Sequence, residues 1–64
     1  EVAAIVADAE IHVDYAAPRN ARVRAAIYGY GGSAAYGWGD TEDAARKHLA
    51  EVVAFNIEHN GEPI

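Results

Sequence analysis

Along the first half of the chain apolar and polar residues alternate with a period of two. Ala7, Ala9, Ile11, Val13 and Tyr15 stand between Asp8, Glu10, His12 and Asp14, the pattern of a strand with one face buried and the other in water. After the break Ala17-Pro18-Arg19-Asn20, Ala21, Val23, Ala25 and Ile27 alternate with Arg22 and Arg24 in a second run of the same kind. Two strands joined this closely form a hairpin. Residues directly opposite each other share a face, so apolar odd positions have to meet apolar odd positions, and the loop must hold an odd number of residues. Pro18-Arg19-Asn20 fits, with proline fixing φ at the first position and asparagine tolerating the left-handed third. The expected register sets Asp14 opposite Arg24, Tyr15 opposite Val23, Val13 opposite Ala25 and Ile11 opposite Ile27. Residues 1–6 fit two patterns: Val2, Ile5 and Val6 make a helical stripe, whereas Ala3, Ile5 and Ala7 make a strand, and we favour the strand.

Gly29-Tyr30-Gly31-Gly32-Ser33 supplies a second turn, and Ala34 to Trp38 is short and rich enough in β-favouring residues to be a third strand. The period then changes. From Asp40 to His59 the apolar residues follow helical spacing, with Ala45, Leu49, Val52 and Asn56 on one side and Val53 and Phe55 at its edges. Both ends are marked. Asp40 or Thr41 can cap the first turn, Glu42 and Asp43 place negative charge at the positive end of the helix dipole, and Asn60-Gly61 followed by Pro63 stops the helix. Three strands followed by a helix predict an α+β domain: an antiparallel sheet with one C-terminal helix packed on one face.

The chain has 64 residues and no cysteine. That length makes one domain at most, spanning 1–64, and at this size only about 60% of the unfolded surface is buried. With disulfides and thiolate metal clusters excluded, association with another copy is the expected further source of buried apolar area. The net charge of −5 argues against a surface built to neutralise phosphates. No apolar run reaches the roughly 18 residues of a membrane span and no signal-peptide pattern opens the chain, which points to a cytoplasmic protein without a membrane partner.

Candidate chemistry is sparse. Asp8, Glu10, His12 and Asp14 are possible metal ligands, but two-residue spacing on a strand carries them along it about 6.6 Å at a time, so a solvated or partner-binding face is the better reading. His48 and His59 lie about three helical turns apart, too far to share an ion. Asn56, near the middle of the apolar side, needs a backbone partner in a strand or turn, or a subunit interface. Ser33, the only serine, stands in a glycine turn, and no catalytic triad can be assembled; we expect no catalysis and no cofactor. Tyr28, Tyr30, Tyr36 and Trp38 could stack unpaired bases. Alternatively Trp38 and one or two of the tyrosines fill the end of the sheet under the helix, and the acidity of the chain favours this.

Gly39-Asp40-Thr41-Glu42-Asp43-Ala44-Ala45 at the start of the helix, and Asn60-Gly61-Glu62-Pro63-Ile64 at its exit, resemble the helix boundaries of HicB-type antitoxin domains. The three preceding strands agree with that family in order. The resemblance implies a partial double-stranded-RNA-binding-domain-like or RNase-H-like fold without catalysis, and binding and neutralisation of a small basic mRNA-cleaving toxin. Family members often continue into a separate DNA-binding domain; none is expected in this chain. Partner-contacting residues expected on this reading are Asp8, Glu10, His12, Asp14, Tyr30 and Trp38.

Overall fold

The computed structural model describes residues 2–64, apart from the side chain of Tyr30. Its regular elements are α1 (Val2–Ala7), β1 (Glu10–Val13), β2 (Val23–Tyr28), β3 (Ala34–Gly39) and α2 (Glu42–Asn60). The strands form one antiparallel sheet in the order β1-β2-β3, and α2 lies across it, principally over β3. This is the expected α+β class, with the C-terminal helix on one face.

The ends of α2 follow the local chemistry. Thr41 rather than Asp40 is the cap: its Oγ1 accepts from the Ala44 N–H at 3.1 Å. At the other end Gly61 adopts φ 77 and its N–H donates to the Ile57 carbonyl at 2.9 Å, a left-handed stop that glycine enters without a Cβ penalty. The buried line of the helix is Ala45, Leu49 and Val53, each 0% exposed. The expected line through Val52 and Asn56 is therefore rotated: Val52 and Asn56 are half-buried and Phe55 is 58% exposed. The cause lies in β3. A Cβ on Gly37 would collide with the Leu49 amide nitrogen and sit 2.6 Å from the Ala45 carbonyl oxygen, and one on Gly39 would sit 2.6 Å from the Ala44 Cβ. The helix has sunk onto the strand at its glycines, so only a narrow i, i+4 line meets the sheet.

Three other expectations are corrected. The strand favoured for residues 1–6 is replaced by a helix over Val2–Ala7, Glu1 lying outside the described residues. Its stripe of Val2, Ile5 and Val6 packs on the common core, and Arg46 of α2 satisfies its last carbonyls, Nη1 donating to the oxygens of Val6 (2.7 Å) and Ala7 (3.1 Å) while Nη2 pairs with Glu42 at 2.8 Å. The first strand is also shorter than the alternation from Ala7 to Tyr15. Asp14 ends it, because its Oδ1 accepts from the Ala16 N–H at 3.0 Å and its carbonyl accepts from Ala17 at 3.1 Å, turning the chain out of the ladder.

The hairpin register has slipped by two residues. Val13 faces Val23, His12 faces Arg24, Ile11 faces Ala25 and Glu10 faces Ala26, so Asp14 is not opposite Arg24. The loop is longer than Pro18-Arg19-Asn20 because Arg19–Ala21 forms a 3₁₀ turn, which withdraws Ala21 from the strand. Odd positions still meet odd positions, as a slip of two keeps every side chain on its face.

Hydrogen-bond parity decides which backbone groups stay open. The Asp14 N–H donates to the Arg22 carbonyl at 2.8 Å, so even positions of β1 bond to β2 and the backbone groups of Ile11 and Val13 point to the free edge. At the far end of the sheet Gly31 and Gly32 take φ 69 and φ 81, and the Gly29 N–H closes the turn on Ser33 at 2.9 Å. Asn56 finds the turn partner its burial requires: Nδ2 donates to the Pro63 carbonyl at 2.8 Å, which draws the C-terminal residues back so that Ile64 rests on the core.

Three substitutions test this packing. Leu49→Ala should cost about 2 to 5 kcal/mol, as emptying a packed site does. Gly37→Ala should lower the melting temperature comparably, because its Cβ meets helix backbone that has no rotamer to yield. Glu58→Ala, on the exposed side of α2, should change stability by no more than roughly 0.5 kcal/mol. Comparable thermal melts for all three would mean that the contact between α2 and β3 does not carry the fold.

Candidate functional site

Because α1 and α2 both cover the odd-numbered side of the sheet, the even-numbered side is left without a layer over it. The pairing arranges that side in rows. His12, Arg24 and Trp38 form one row and Glu10, Ala26 and Tyr36 the next, followed by Tyr28 opposite Ala34. Trp38 therefore does not fill the sheet under the helix; it stands on the opposite face, 43% exposed. Its ring lies 5.7 Å from that of Tyr36, tilted by 37°. The even backbone groups of β3 point to the outer edge, and there the Trp38 N–H donates to His48 Nδ1 at 3.0 Å. Nδ1 is thus the acceptor, which places the proton of a neutral His48 ring on Nε2.

Arg24 lies with its guanidinium carbon 5.2 Å from the centre of the Tyr36 ring, a cation–π contact that fixes the head without using its N–H donors. Arg22, at the end of the 3₁₀ turn just before β2, gives one Nη2–H to the Ala17 carbonyl at 3.4 Å. The Nε atoms of both arginines are buried without a hydrogen-bond partner. Among the described residues no carboxylate is ion-paired with either guanidinium. A pocket of about 410 Å³ opens beside them, lined by His12, Asp14, Arg22, Arg24 and Trp38, with Val13, Ala17 and Ala21 completing its wall.

The expected contact residues are distributed unevenly over this face. Glu10 and His12 stand side by side on β1, with 3.3 Å between His12 Nε2 and Glu10 Oε1. Asp14 lines the pocket from beyond the strand end, and Trp38 lines its far wall. Asp8 lies apart, exposed in the turn after α1, and the Tyr30 side chain lies outside the described residues. No three potential ligands among His, Cys, Asp and Glu come together among the described residues. His59 is stacked on Phe55, ring centres 4.0 Å apart. Among the described residues no helix is long and apolar enough to cross a membrane.

The sequence points to Tyr36 as a stacking candidate but not to Arg22 and Arg24 as site residues. Their signal was there: both share the parity of Trp38, and Arg19, Arg22 and Arg24 put three of the five basic residues within one short segment. Net charge, summed over the chain, conceals that local concentration. Comparison of the chain with protein-family models, curated proteins and solved structures finds no match.

Among the described residues, Tyr28 carries the one perturbed group on this face. Its phenol is raised above the ordinary value of 10.0, first because neighbouring chain displaces water from it, then because its hydroxyl hydrogen-bonds Glu10 and feels that carboxylate's charge, with Arg24 opposing. A raised phenol pKa means that the folded chain holds this proton longer than the unfolded one. The associated stability is present below the unfolded value and lost as the pH rises through the folded one. Following the Tyr28 ring by NMR through an alkaline titration, Glu10→Ala should lower its midpoint toward 10.0 without reaching it, since the larger cause remains. An unchanged midpoint would remove Glu10 as a partner.

Proposed function

We propose that the chain is a non-enzymatic binding module of the HicB-like antitoxin kind, which binds and neutralises a small, basic, mRNA-cleaving toxin in the cytoplasm. The observation that supports this reading is the free edge of β1. Ile11 and Val13 offer unpaired backbone groups there, and exposed Asp8, Glu10 and Asp14 flank them. A partner strand added to that edge would gain main-chain hydrogen bonds, and a basic partner would be drawn to it by the surrounding carboxylates. The capped start and glycine stop of α2, on which the resemblance rests, stand at the two ends of the helix in this fold.

The test first asks whether the adjacent reading frame encodes a small basic protein, and then uses that protein. The chain should suppress its cleavage of mRNA and bind it with an association rate that falls as salt is raised. Replacing Asp8, Glu10 and Asp14 together by Asn, Gln and Asn should slow association by about tenfold or more at low ionic strength, the lower end of electrostatic steering. Cleavage that proceeds unhindered at saturating chain would sink the proposal.

Self-association belongs to the same reading. Phe55 and Ile57 of α2 are 58% and 37% exposed, apolar surface that a second copy can cover. Sedimentation should detect a dimer or larger species at high micromolar concentration, and Phe55→Glu should shift it toward monomer. A wild-type chain that sediments as a monomer throughout would remove this part.

A further inference from the structure

The uncovered face of the sheet holds a pattern that binding a basic toxin does not use. Arg22 and Arg24 are half-buried and lack a carboxylate partner among the described residues, in a chain with twice as many acidic as basic residues, 10 against 5. Arg46 pairs with Glu42, while Arg19 and Lys47, like Arg22 and Arg24, have no carboxylate partner among the described residues; what sets Arg22 and Arg24 apart is that they are half-buried where the other two are exposed. The Arg24 head is laid against Tyr36, and both guanidiniums line the pocket with most of their donors unspent. Arg24 stands on β2 and Arg22 just before it, its backbone still in the αR conformation that ends the 3₁₀ turn, and because both line one pocket they can converge on one anionic group. Arginine's planar fork matches phosphate oxygens in that arrangement.

The wall across the pocket is Trp38, held in place through its backbone by His48 and tilted toward Tyr36. A half-exposed indole beside paired guanidiniums offers a planar apolar surface next to a cationic one. That combination discriminates among anions: an acidic peptide satisfies the arginines but leaves the indole wet, whereas a nucleotide satisfies both. The volume of about 410 Å³ falls within the roughly 300 to 1,000 Å³ of small-molecule sites. Asp14 on the rim opposes an anion, so two guanidiniums act against one carboxylate. We propose that this pocket binds a nucleotide unit, its phosphate between Arg22 and Arg24 and its base stacked on Trp38. The unit can be a free nucleotide or part of a single strand, the same chemistry from two sources.

Trp38 is the only tryptophan, so its fluorescence reports on this pocket alone. At low salt the chain is titrated separately with adenosine monophosphate, a ten-nucleotide oligouridylate, inorganic phosphate and a short oligoglutamate. Saturable quenching is expected with one or both nucleotide probes and not with the other two. If the strand is the natural source, the oligonucleotide binds more tightly, with a log–log salt slope of about −0.7 for the one phosphate the two arginines share; if the free nucleotide is, the two bind alike. Arg24→Gln and Arg22→Gln should each weaken binding about tenfold. In case a variant unfolds, amide shifts of the unaltered chain on adding either probe provide an independent reading: they should cluster at residues 12–14, 17–24 and 36–38 and spare Lys47, Glu51 and Glu58. No saturable quenching by either nucleotide probe at millimolar concentration, equal quenching by phosphate or oligoglutamate, or shifts confined to α2 would each overturn the proposal. None of these outcomes bears on toxin neutralisation, which is measured through mRNA cleavage.

Discussion

Where α2 crosses β3, backbone meets backbone, and most of the molecule's other features are consequences of that approach. Gly37 and Gly39 offer no side chain to hold the helix off, so Ala45 and Leu49 descend until both are 0% exposed. Glycine within a strand ordinarily weakens it; here the loss is offset by dispersion contacts that a Cβ would prevent. The same alternation that empties the inner face fills the outer one. In Tyr36-Gly37-Trp38-Gly39 the period of two sends both aromatic rings to the outer face, Trp38 at its margin with its ring 6.2 Å from that of His48 of α2, so a smooth docking surface and an aromatic surface arise from one tetrapeptide.

So close a contact is also narrow, and the rest of the core has to be assembled from outside it. The buried residues of this core are small: Ala9, Ala25, Ala35 and Ala45 against Val6, Val23, Val53 and Leu49. Alanine burial releases little water per residue, which gives α1 its importance. Its apolar stripe extends the core past the edge of the helix–sheet contact, and Arg46 ties its carbonyl end to α2 through bonds of the charge-assisted kind. The C-terminal exit does the same at the opposite end, where Asn56 holds Pro63 and thereby Ile64.

What the sequence made legible was parity; what it left open was distance along the chain. Which residues of the hairpin face inward is a property of each strand alone, and the assignment of Ile11, Val23 and Ala25 to one face holds. Register depends on where the strands end, and that was decided by an Asx turn at Asp14 and a 3₁₀ turn at Arg19–Ala21, whose extent the residue types do not fix. The ends of α2 were legible because Thr41 and Gly61 act locally. Its buried line was not, because the rotation depends on glycines in another element. Residues 1–6 carried both periods, and the choice fell to Arg46, 40 positions beyond Val6. The site is legible only in part: Trp38 and His12 stand out by residue type, whereas the acidic net charge conceals Arg22 and Arg24.

That total is a poor guide to what either side of the molecule attracts. Glu42, Asp43, Glu51 and Glu58 are exposed on α2, on the opposite side of the sheet from Arg22 and Arg24. The shortest principal extent of the chain is 19 Å, whereas exposed charges are screened over about 8 Å at physiological ionic strength. A ligand at the outer face therefore senses the arginines, Asp14 and the Glu10–His12 pair more than the carboxylates of α2. A basic partner approaching the β1 edge or the helix senses the reverse. The separation is made by the sheet itself: alternation sends Arg24 to the face that α2 does not cover, Arg22 joins it there from the end of the 3₁₀ turn, and the glycines of β3 keep α2 on the other. A chain of net charge −5 can thus present opposite signs to two different partners, and the division between them is set by the strand period that builds the fold.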